Sequence, residues 1–302
     1  MARPLRIEYA GACYHVMNRG NQRARVFGSP RQYRLFLAKL ERFATQYDVK
    51  VHAYCLMANH FHALLTTRQP NLSRFIQSWL ASFTLSLNRM RSNSGHVFQG
   101  RFKAHLVEAQ RYVSEVSRYV HLNPVRTAST RDLPLDQRRD ALHDFEWSSF
   151  RVLIGLRAVP QWMDPDPILG TWGADPQTRM KNYRRYVEQG LTADLTSPFL
   201  SLKEQSILGS DSFVDQIRRR YLLSRTPADD GAEPALEHLI HSLAPGEVLA
   251  RVAEQYGVRV EDLVKRRARC RDARRLAMYL AAEYCRHTHS LRELAMLFSV
   301  SL

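Results

Sequence analysis

The sequence predicts an α+β fold in which an antiparallel sheet carries helices on one face. Four short segments rich in apolar and β-branched residues are typical of strands. Three longer segments carry apolar residues at helical spacing. Over residues 1–122 the order is strand, helix, strand, strand, helix, strand, helix. This is the order of a ferredoxin-like sandwich.

Each predicted element has a local signal at one of its ends. The predicted strands cover residues 13–18, 49–57, 61–67 and 102–108. Pro30 opens the first helix, which runs to about Tyr47, and Asn71 is suited to cap the second. The third helix covers residues 111–122 and stops at Asn123, because a residue that precedes proline avoids the helical region.

The chain is predicted to continue as mostly helical structure after the sheet. We divide it into a sheet-containing domain over residues 1–130, a helical connector over 131–202 and a helical domain over 203–302. Proline, glycine and acidic residues at 227–234 predict a flexible linker.

The positive charge is concentrated in the first part of the chain. The formal net charge is +15. Residues 1–126 contain 19 Lys and Arg against 5 Asp and Glu, whereas residues 127–302 contain 25 against 24. Such a field attracts polyanions, and the excess of Arg over Lys suits phosphate oxygens. Nucleic acid is therefore the expected partner, although a basic domain that is merely soluble has the same composition.

Cysteine spacing and hydropathy indicate a reduced, cytoplasmic protein. The four cysteines are far apart and form no Cys-x-x-Cys pair. The N-terminus lacks an apolar signal core, and no apolar run approaches the roughly 20 residues of a membrane span. We expect no membrane partner. A Gly-x-x-x-x-Gly-Lys loop is absent from the sequence, so we expect no nucleotide cofactor.

His60-Phe61-His62 is a candidate metal site. On a strand, alternation places His60 and His62 on one face and Phe61 on the other. Two imidazoles that converge in this way suit several divalent metals. The chain has 12 histidines, so the same motif also arises by chance as two packed or exposed side chains. Its apolar flanks favour the metal, because paired histidines inside a core strand need polar partners or an ion.

Tyr119 is a candidate nucleophile on the third helix. A tyrosine there is commonly a core aromatic with an exposed hydroxyl. Asn123 follows one helical turn later, so its amide can reach the same neighbourhood or simply cap the helix. A phenol with a pKa near 10 attacks phosphorus poorly at neutral pH, whereas a metal on the phosphate oxygens makes phosphorus more electrophilic.

Four sequence blocks together resemble the REP-associated tyrosine transposases, which are single-tyrosine HUH enzymes similar to the small insertion-sequence transposases. The resemblance covers about residues 3–200. The blocks are Tyr14-His15-Val16-x-x-Arg19-Gly20-Asn21, Met57-x-Asn59-His60-Phe61-His62, Phe98-Gln99-Gly100-Arg101-Phe102 and Tyr119-Val120-His121-Leu122-Asn123-Pro124-Val125-Arg126.

The resemblance implies an HUH catalytic domain over residues 1–130. Such an enzyme nicks and rejoins single-stranded DNA at palindromic repeats that fold into hairpins, through a 5′-phosphotyrosine intermediate. It implies Tyr119 as nucleophile and His60, His62 and Asn123 as ligands of Mg²⁺ or Mn²⁺. His15 has no implied chemistry. Basic residues are expected to hold DNA: Arg3, Arg6, Arg19, Arg23, Arg101 and Lys103. The protein would then act at the nucleoid, and its oligomeric state stays open.

The C-terminal part resembles the helical DNA-binding domain of bacterial replication initiators. The similar segments are 253–258 and 290–301, beside the basic residues Lys265, Arg266, Arg267, Arg269 and Arg271. Ser299-Val300-Ser301 resembles the turn of a helix-turn-helix, but the sequence stops at Leu302, before a recognition helix. We expect a unit truncated within this motif, and the basic run serves either DNA contact or solvation.

Three other functions remain open from the sequence. The first is a non-catalytic protein that binds DNA hairpins. The second is a metal-dependent nuclease that uses water, for example with zinc at His60 and His62. The third is a basic RNA-binding module, which would show no preference for DNA hairpins.

Overall fold

The computed structural model describes residues 7–193, 196–204, 206–223, 244–265, 270–285 and 289–299. These residues fall into two compact units. The sheet unit comprises the described residues from Ile7 to Leu202 together with Ser206–Ser210. The helical unit comprises Lys203, Glu204 and the described residues from Asp211 onward.

A five-stranded mixed sheet forms the centre of the sheet unit. Its strands are β1 (Ala12–Arg19), β2 (Val49–Met57), β3 (His60–Thr67), β4 (Lys103–Val107) and β5 (Ile207–Leu208). The spatial order is β2-β3-β1-β4-β5. The pairs among β1–β4 are antiparallel, as predicted, whereas β5 pairs with β4 in parallel. The sequence prediction missed β5 because two residues are too short to show a period.

Three long helices accompany the sheet in the predicted order: α1 (Pro30–Gln46), α2 (Leu72–Met90) and α3 (Ala109–Leu122). α1 and α2 cover one face, where the ring of Phe61 lies 5.0 Å from Phe36 and 5.1 Å from Trp79. α3 departs from the expectation of helices on one face. Its Tyr119 contacts His62, and strand alternation turns that residue away from the Phe61 side.

Further helices of the sheet unit follow α3 along the chain. They are α4 (Leu135–Asp144), α5 (Phe150–Leu153), α6 (Asp166–Leu169) and α7 (Pro176–Gln189). α6 and α7 pack against α3. Residues 131–202, which the sequence divides off as a connector, therefore belong to the same compact unit as the sheet. Three short 3-10 turns cover Asn21–Arg23, Asn123–Val125 and Pro198–Ser201.

The helical unit contains α8 (Asp211–Leu223), α9 (Pro245–Tyr256), α10 (Val260–Val264), α11 (Arg271–Tyr284) and α12 (Leu291–Leu297). Its core is built from small and aliphatic residues, closed by Phe298. Arg274 is buried there and donates to the backbone oxygens of Leu263, Lys265 and Phe298. These carbonyls accept hydrogen bonds from the buried guanidinium, so Arg274 has a structural role.

Several C-terminal features of the sequence lie outside the described residues. They are the linker at 227–234, residues 266–269 of the basic run, and residues 300–302 of the helix-turn-helix resemblance. In the part of the chain that is described, no helix is long and apolar enough to cross a membrane.

Candidate active site

A group of histidines on one face of the sheet, which we call the histidine face, comprises His15, His60, His62 and His105. Alternation along β1, β3 and β4 places them there, and His15 lies directly opposite His105 in the strand register. The end of β1 approaches the β2–β3 turn, since the Gly20 N–H donates to the Asn59 carbonyl at 2.7 Å. A Cβ at Gly20 would lie only 2.1 Å from the Ala24 oxygen, so glycine is required here.

His62 is buried, with a single ring nitrogen left for a further ligand. Its Nδ1 lies 2.9 Å from Nε2 of His15, so Nε2 of His62 is the atom that remains for a ligand. Burial lowers the pKa of His62 to about 3, and the nearby charges of His60 and Arg19 act in the same direction. His62 is therefore neutral at pH 7 and retains a lone pair.

His60 is held in a comparable way by its chain neighbour. Its Nδ1 lies 2.7 Å from Asn59 Oδ1, and the Asn59 amide nitrogen donates to the Arg23 carbonyl at 3.3 Å. The nitrogen left for a ligand is again Nε2. Burial lowers the pKa of His60 to about 4, with a contribution from Arg19, while a hydrogen bond with Asn123 opposes the shift.

Asn123 both caps α3 and faces the histidines. Its Nδ2 donates to the carbonyls of Tyr119 at 2.9 Å and Val120 at 3.2 Å. These two acceptors fix the amide orientation, so Oδ1 is the atom available to the His60 side. The two interpretations that the sequence left open, helix cap and site residue, are therefore compatible.

The donor set fits a divalent ion. Within the described ranges, no group of three His, Cys, Asp or Glu is arranged to hold a metal. The fit rests instead on two neutral imidazoles whose rings lie 5.0 Å apart and nearly perpendicular, together with the amide oxygen of Asn123. Nitrogen and oxygen donors of this kind suit Mn²⁺ or Mg²⁺ with further positions for substrate phosphate.

Tyr119 reaches the histidine face from α3. Its ring lies edge-on to His62 at 5.8 Å and to His15 at 6.3 Å between centroids. The side chain is half-buried. Burial lowers the pKa of Arg126, and the Tyr119 side chain opposes that shift, which places this guanidinium within electrostatic reach of the phenol.

A buried hydrogen-bond chain fixes α3 from its opposite side. His121 Nδ1 lies 2.8 Å from the Tyr183 hydroxyl, which donates to Ser117 Oγ at 2.9 Å. His121 Nε2 lies 2.9 Å from Ser149 Oγ, and the Tyr54 N–H donates to that oxygen at 2.8 Å. The chain links α3 to α7 and β2, so it restricts movement of the helix that carries Tyr119.

The predicted DNA-binding residues are only partly gathered at the site. Arg19 pairs with His60 in the strand register and acts electrostatically on both site histidines. Lys103 begins β4 and is exposed. Arg23 and Arg101 are exposed, and the loop before Arg101 is held at the end of β1, where the Gln99 N–H donates to the Arg19 carbonyl at 2.8 Å. Arg3 and Arg6 lie outside the described residues.

Sequence reasoning missed four residues of this site. Asn59 orients His60, and Arg126 lies near the phenol. Both stand inside the recognised blocks, and alternation along the strand at 102–108 could have identified His105. Phe199 had no signal, because it stacks on His15 at 4.4 Å from 184 positions away in sequence. Only the tertiary fold brings it there.

Residues 9–123 match the family described as "Transposase IS200 like". The match covers 115 of the 302 residues of the chain. The matched residues run from before β1 to Asn123 and include Tyr119 and the histidine face.

Among solved structures, the chain is similar to the "Structure of the REP associates tyrosine transposase bound to a REP hairpin". The identity is 16%, the TM-score is 0.43, and the match covers 58% of this chain and 93% of that chain. No curated protein sequence matches the chain.

Proposed function

We propose that the sheet unit nicks and rejoins single-stranded DNA, with Tyr119 as nucleophile and His60, His62 and Asn123 as ligands of Mg²⁺ or Mn²⁺. The observation that carries this proposal is the approach of Tyr119 to within 5.8 Å of His62, ring to ring, from a helix on the same side of the sheet. A phenol beside paired neutral imidazoles suits phosphoryl transfer.

The chemistry assigned to Tyr119 is a balanced exchange of ester bonds. Its oxygen attacks the scissile phosphorus, and its proton passes to solvent. The phosphorus–O3′ bond breaks, and the leaving strand takes up a proton to become a 3′-hydroxyl. The other strand is left as a 5′-phosphotyrosine. A 3′-hydroxyl can reverse the exchange, so rejoining needs no nucleotide cofactor.

The surrounding residues position and activate this exchange. When bound, the divalent ion supplies Lewis-acid stabilisation of the phosphate oxygens. The guanidinium of Arg126 lies within electrostatic reach of the phenol, where its positive charge suits the substrate phosphate. The His121 chain keeps α3 in place, which maintains the nucleophile near the histidine face.

The proposed substrate is single-stranded DNA that folds into palindromic hairpins. Two observations support it: the four sequence blocks, and the basic residues Arg19, Arg23, Arg101 and Lys103 around the end of β1 and the start of β4. These cations suit the phosphates of a strand laid across the histidine face.

Tyr119→Phe tests the proposal directly. Purified protein is incubated with Mn²⁺ and a hairpin oligonucleotide labelled at its 3′ end. The wild type is expected to attach the label covalently, so that it survives denaturant. Tyr119→Phe should lose the adduct while retaining DNA affinity, because only one hydroxyl is removed. Tyr112→Phe, on the same helix, is the matched control and should form the adduct normally.

The other outcomes distinguish the remaining functions. An adduct formed equally by Tyr119→Phe would move the nucleophile elsewhere. Free cleaved ends without protein-linked DNA would indicate a nuclease that uses water. Hairpin binding without cleavage by the wild type would indicate a non-catalytic binding protein.

A further inference from the structure

His15 is enclosed at the centre of the histidine face, although the proposed reaction gives it no role. Only 1% of its surface is exposed. Its Nε2 lies 2.9 Å from His62 Nδ1, and its ring stacks on Phe199 at 4.4 Å. The imidazole therefore has a defined orientation toward a proposed metal ligand.

Each of the two proposed metal-binding histidines is held in place through its own Nδ1 atom. Nδ1 of His60 faces Asn59 Oδ1 at 2.7 Å, and Nδ1 of His62 faces His15 Nε2 at 2.9 Å. In both rings Nε2 is left for an ion. The partner atoms differ in kind, since an amide oxygen can only accept a hydrogen bond, whereas an imidazole nitrogen can accept or donate.

That difference matters because metal binding requires one particular tautomer. Asn59 Oδ1 can only accept, so it favours the proton of neutral His60 on Nδ1 and the lone pair on Nε2. For His62 the same result requires His15 Nε2 to accept. If His15 donates instead, the proton of His62 lies on Nε2 and blocks coordination.

We propose that His15 is a positioning residue that accepts a hydrogen bond from His62 Nδ1–H and so directs the His62 Nε2 lone pair to the metal. This inference rests on the metal site of the proposed function. In this arrangement the His15 proton lies on Nδ1, a buried atom without a hydrogen-bond partner among the described residues. A buried donor without a partner is unfavourable, so the bound ion, rather than the metal-free protein, selects this tautomer.

Two substitutions of His15 separate acceptor chemistry from packing. In His15→Gln the side-chain oxygen replaces the accepting Nε2, whereas His15→Met fills a similar volume without a comparable acceptor. Mn²⁺ affinity of the full chain is measured by electron paramagnetic resonance of free Mn²⁺. We expect His15→Met to weaken binding about 10- to 100-fold and His15→Gln to recover most of the loss. Equal affinity in wild type and His15→Met would overturn the inference.

The tautomer itself provides a readout that a packing role would not affect. Nitrogen NMR of histidine-labelled protein should show His62 protonated at Nδ1 when Mg²⁺ is bound. His62 protonated at Nε2 in the loaded wild type would also overturn the inference.

His60→Ala keeps failure of this inference distinct from failure of the metal site. If His60→Ala binds Mn²⁺ as well as the wild type does, the ion binds elsewhere. The proposed metal site and the proposed role of His15 are then both wrong. If His60→Ala loses Mn²⁺ and His15→Met does not, only the role of His15 is overturned.

Discussion

At the scale of single residues, Asn123 shows how one amide serves both structure and chemistry. Its nitrogen donates to two carbonyls at the end of α3, and its oxygen faces His60. The two halves of the side chain therefore have separate consequences when they are changed. Stability depends on the nitrogen, and the proposed metal affinity depends on the oxygen.

Asn123→Asp should move these two properties in opposite directions. The carboxylate is a stronger ligand for Mn²⁺ or Mg²⁺ than an amide oxygen, so we expect tighter Mn²⁺ binding. The carbonyls of Tyr119 and Val120 lose their donor, so the free energy of unfolding should fall by about 1–3 kcal/mol. Metal titration and urea unfolding measure the two effects.

Asn88→Asp is the control for Asn123→Asp. Asn88 also donates through its amide to a carbonyl, that of Gly95, but in an exposed position. It should change neither Mn²⁺ affinity nor, by more than a few tenths of a kcal/mol, stability. Unchanged Mn²⁺ affinity in Asn123→Asp would remove Asn123 from the metal site.

At the scale of elements, α3 is the helix whose placement decides the site. Val113, Val116 and Val120 are buried along it, and the His121 chain adds directional contacts on the same helix. The Tyr54 N–H donates to Ser149 Oγ, His121 lies between the Ser149 and Tyr183 hydroxyls, and the Tyr183 hydroxyl donates to Ser117 Oγ. All these side chains thereby satisfy one another inside the protein.

Tyr183→Phe tests whether this chain positions α3. Removal of the hydroxyl takes away the buried partner of His121 Nδ1 and the donor to Ser117 Oγ, so we expect a loss of about 1–3 kcal/mol in the free energy of unfolding. Adduct formation by Tyr119 should slow more than DNA affinity falls. Tyr186→Phe is the matched control, because Tyr186 is only half-buried and its ring can still stack under Arg118. Equal effects of the two substitutions would contradict the positioning role.

At the scale of the whole molecule, the net positive charge comes from lysine and arginine rather than from the buried histidines. The net charge of +14 over residues 1–126 favours polyanions. The histidines inside the protein contribute little to that charge, because burial lowers their pKa values. Those of His62 and His121 fall to about 3, and that of His15 falls well below its usual range.

DNA affinity should fall steeply with salt if the basic residues bind phosphates. Removal of one cation that binds a phosphate should reduce the slope of log affinity against log salt by about 1. Arg101→Gln is expected to do so. Arg259→Gln in the helical unit, where the guanidinium pairs with Asp262, should leave the slope unchanged. A flat salt response of the wild type would show that the basic excess is incidental.

Stability should fall as pH falls below about 6.5. The unfolded chain protonates its histidines near pH 6.5, whereas buried His62 and His121 stay neutral down to about pH 3. Between these values the unfolded state binds more protons, so acid favours unfolding. At pH 5 each such histidine costs about 2 kcal/mol. Urea unfolding with EDTA at pH 7 and pH 5 measures the sum, and equal stabilities would contradict the lowered pKa values.

Much of the fold followed from the sequence because its signals are local. Helical spacing located α1, α2 and α3, and strand patterns located β1–β4 to within one or two residues. The two-residue β5 and the face on which α3 packs were not predictable in this way. Both depend on which surfaces meet after folding, and periodicity within one element does not encode that choice.

The sequence by itself determined which residues are available for chemistry: His60 and His62 on one side of a strand, Tyr119 on a helix, and Asn123 one turn later. Alternation and helical spacing follow from the geometry of a single element, so these relations can be derived from the sequence without the tertiary structure. Only the tertiary structure decided that α3 crosses the histidine face, that His15 meets His62, and that Phe199 covers His15. These contacts join residues that are 47 to 184 positions apart. They form only because burial of the whole core offsets the entropy of bringing distant segments together.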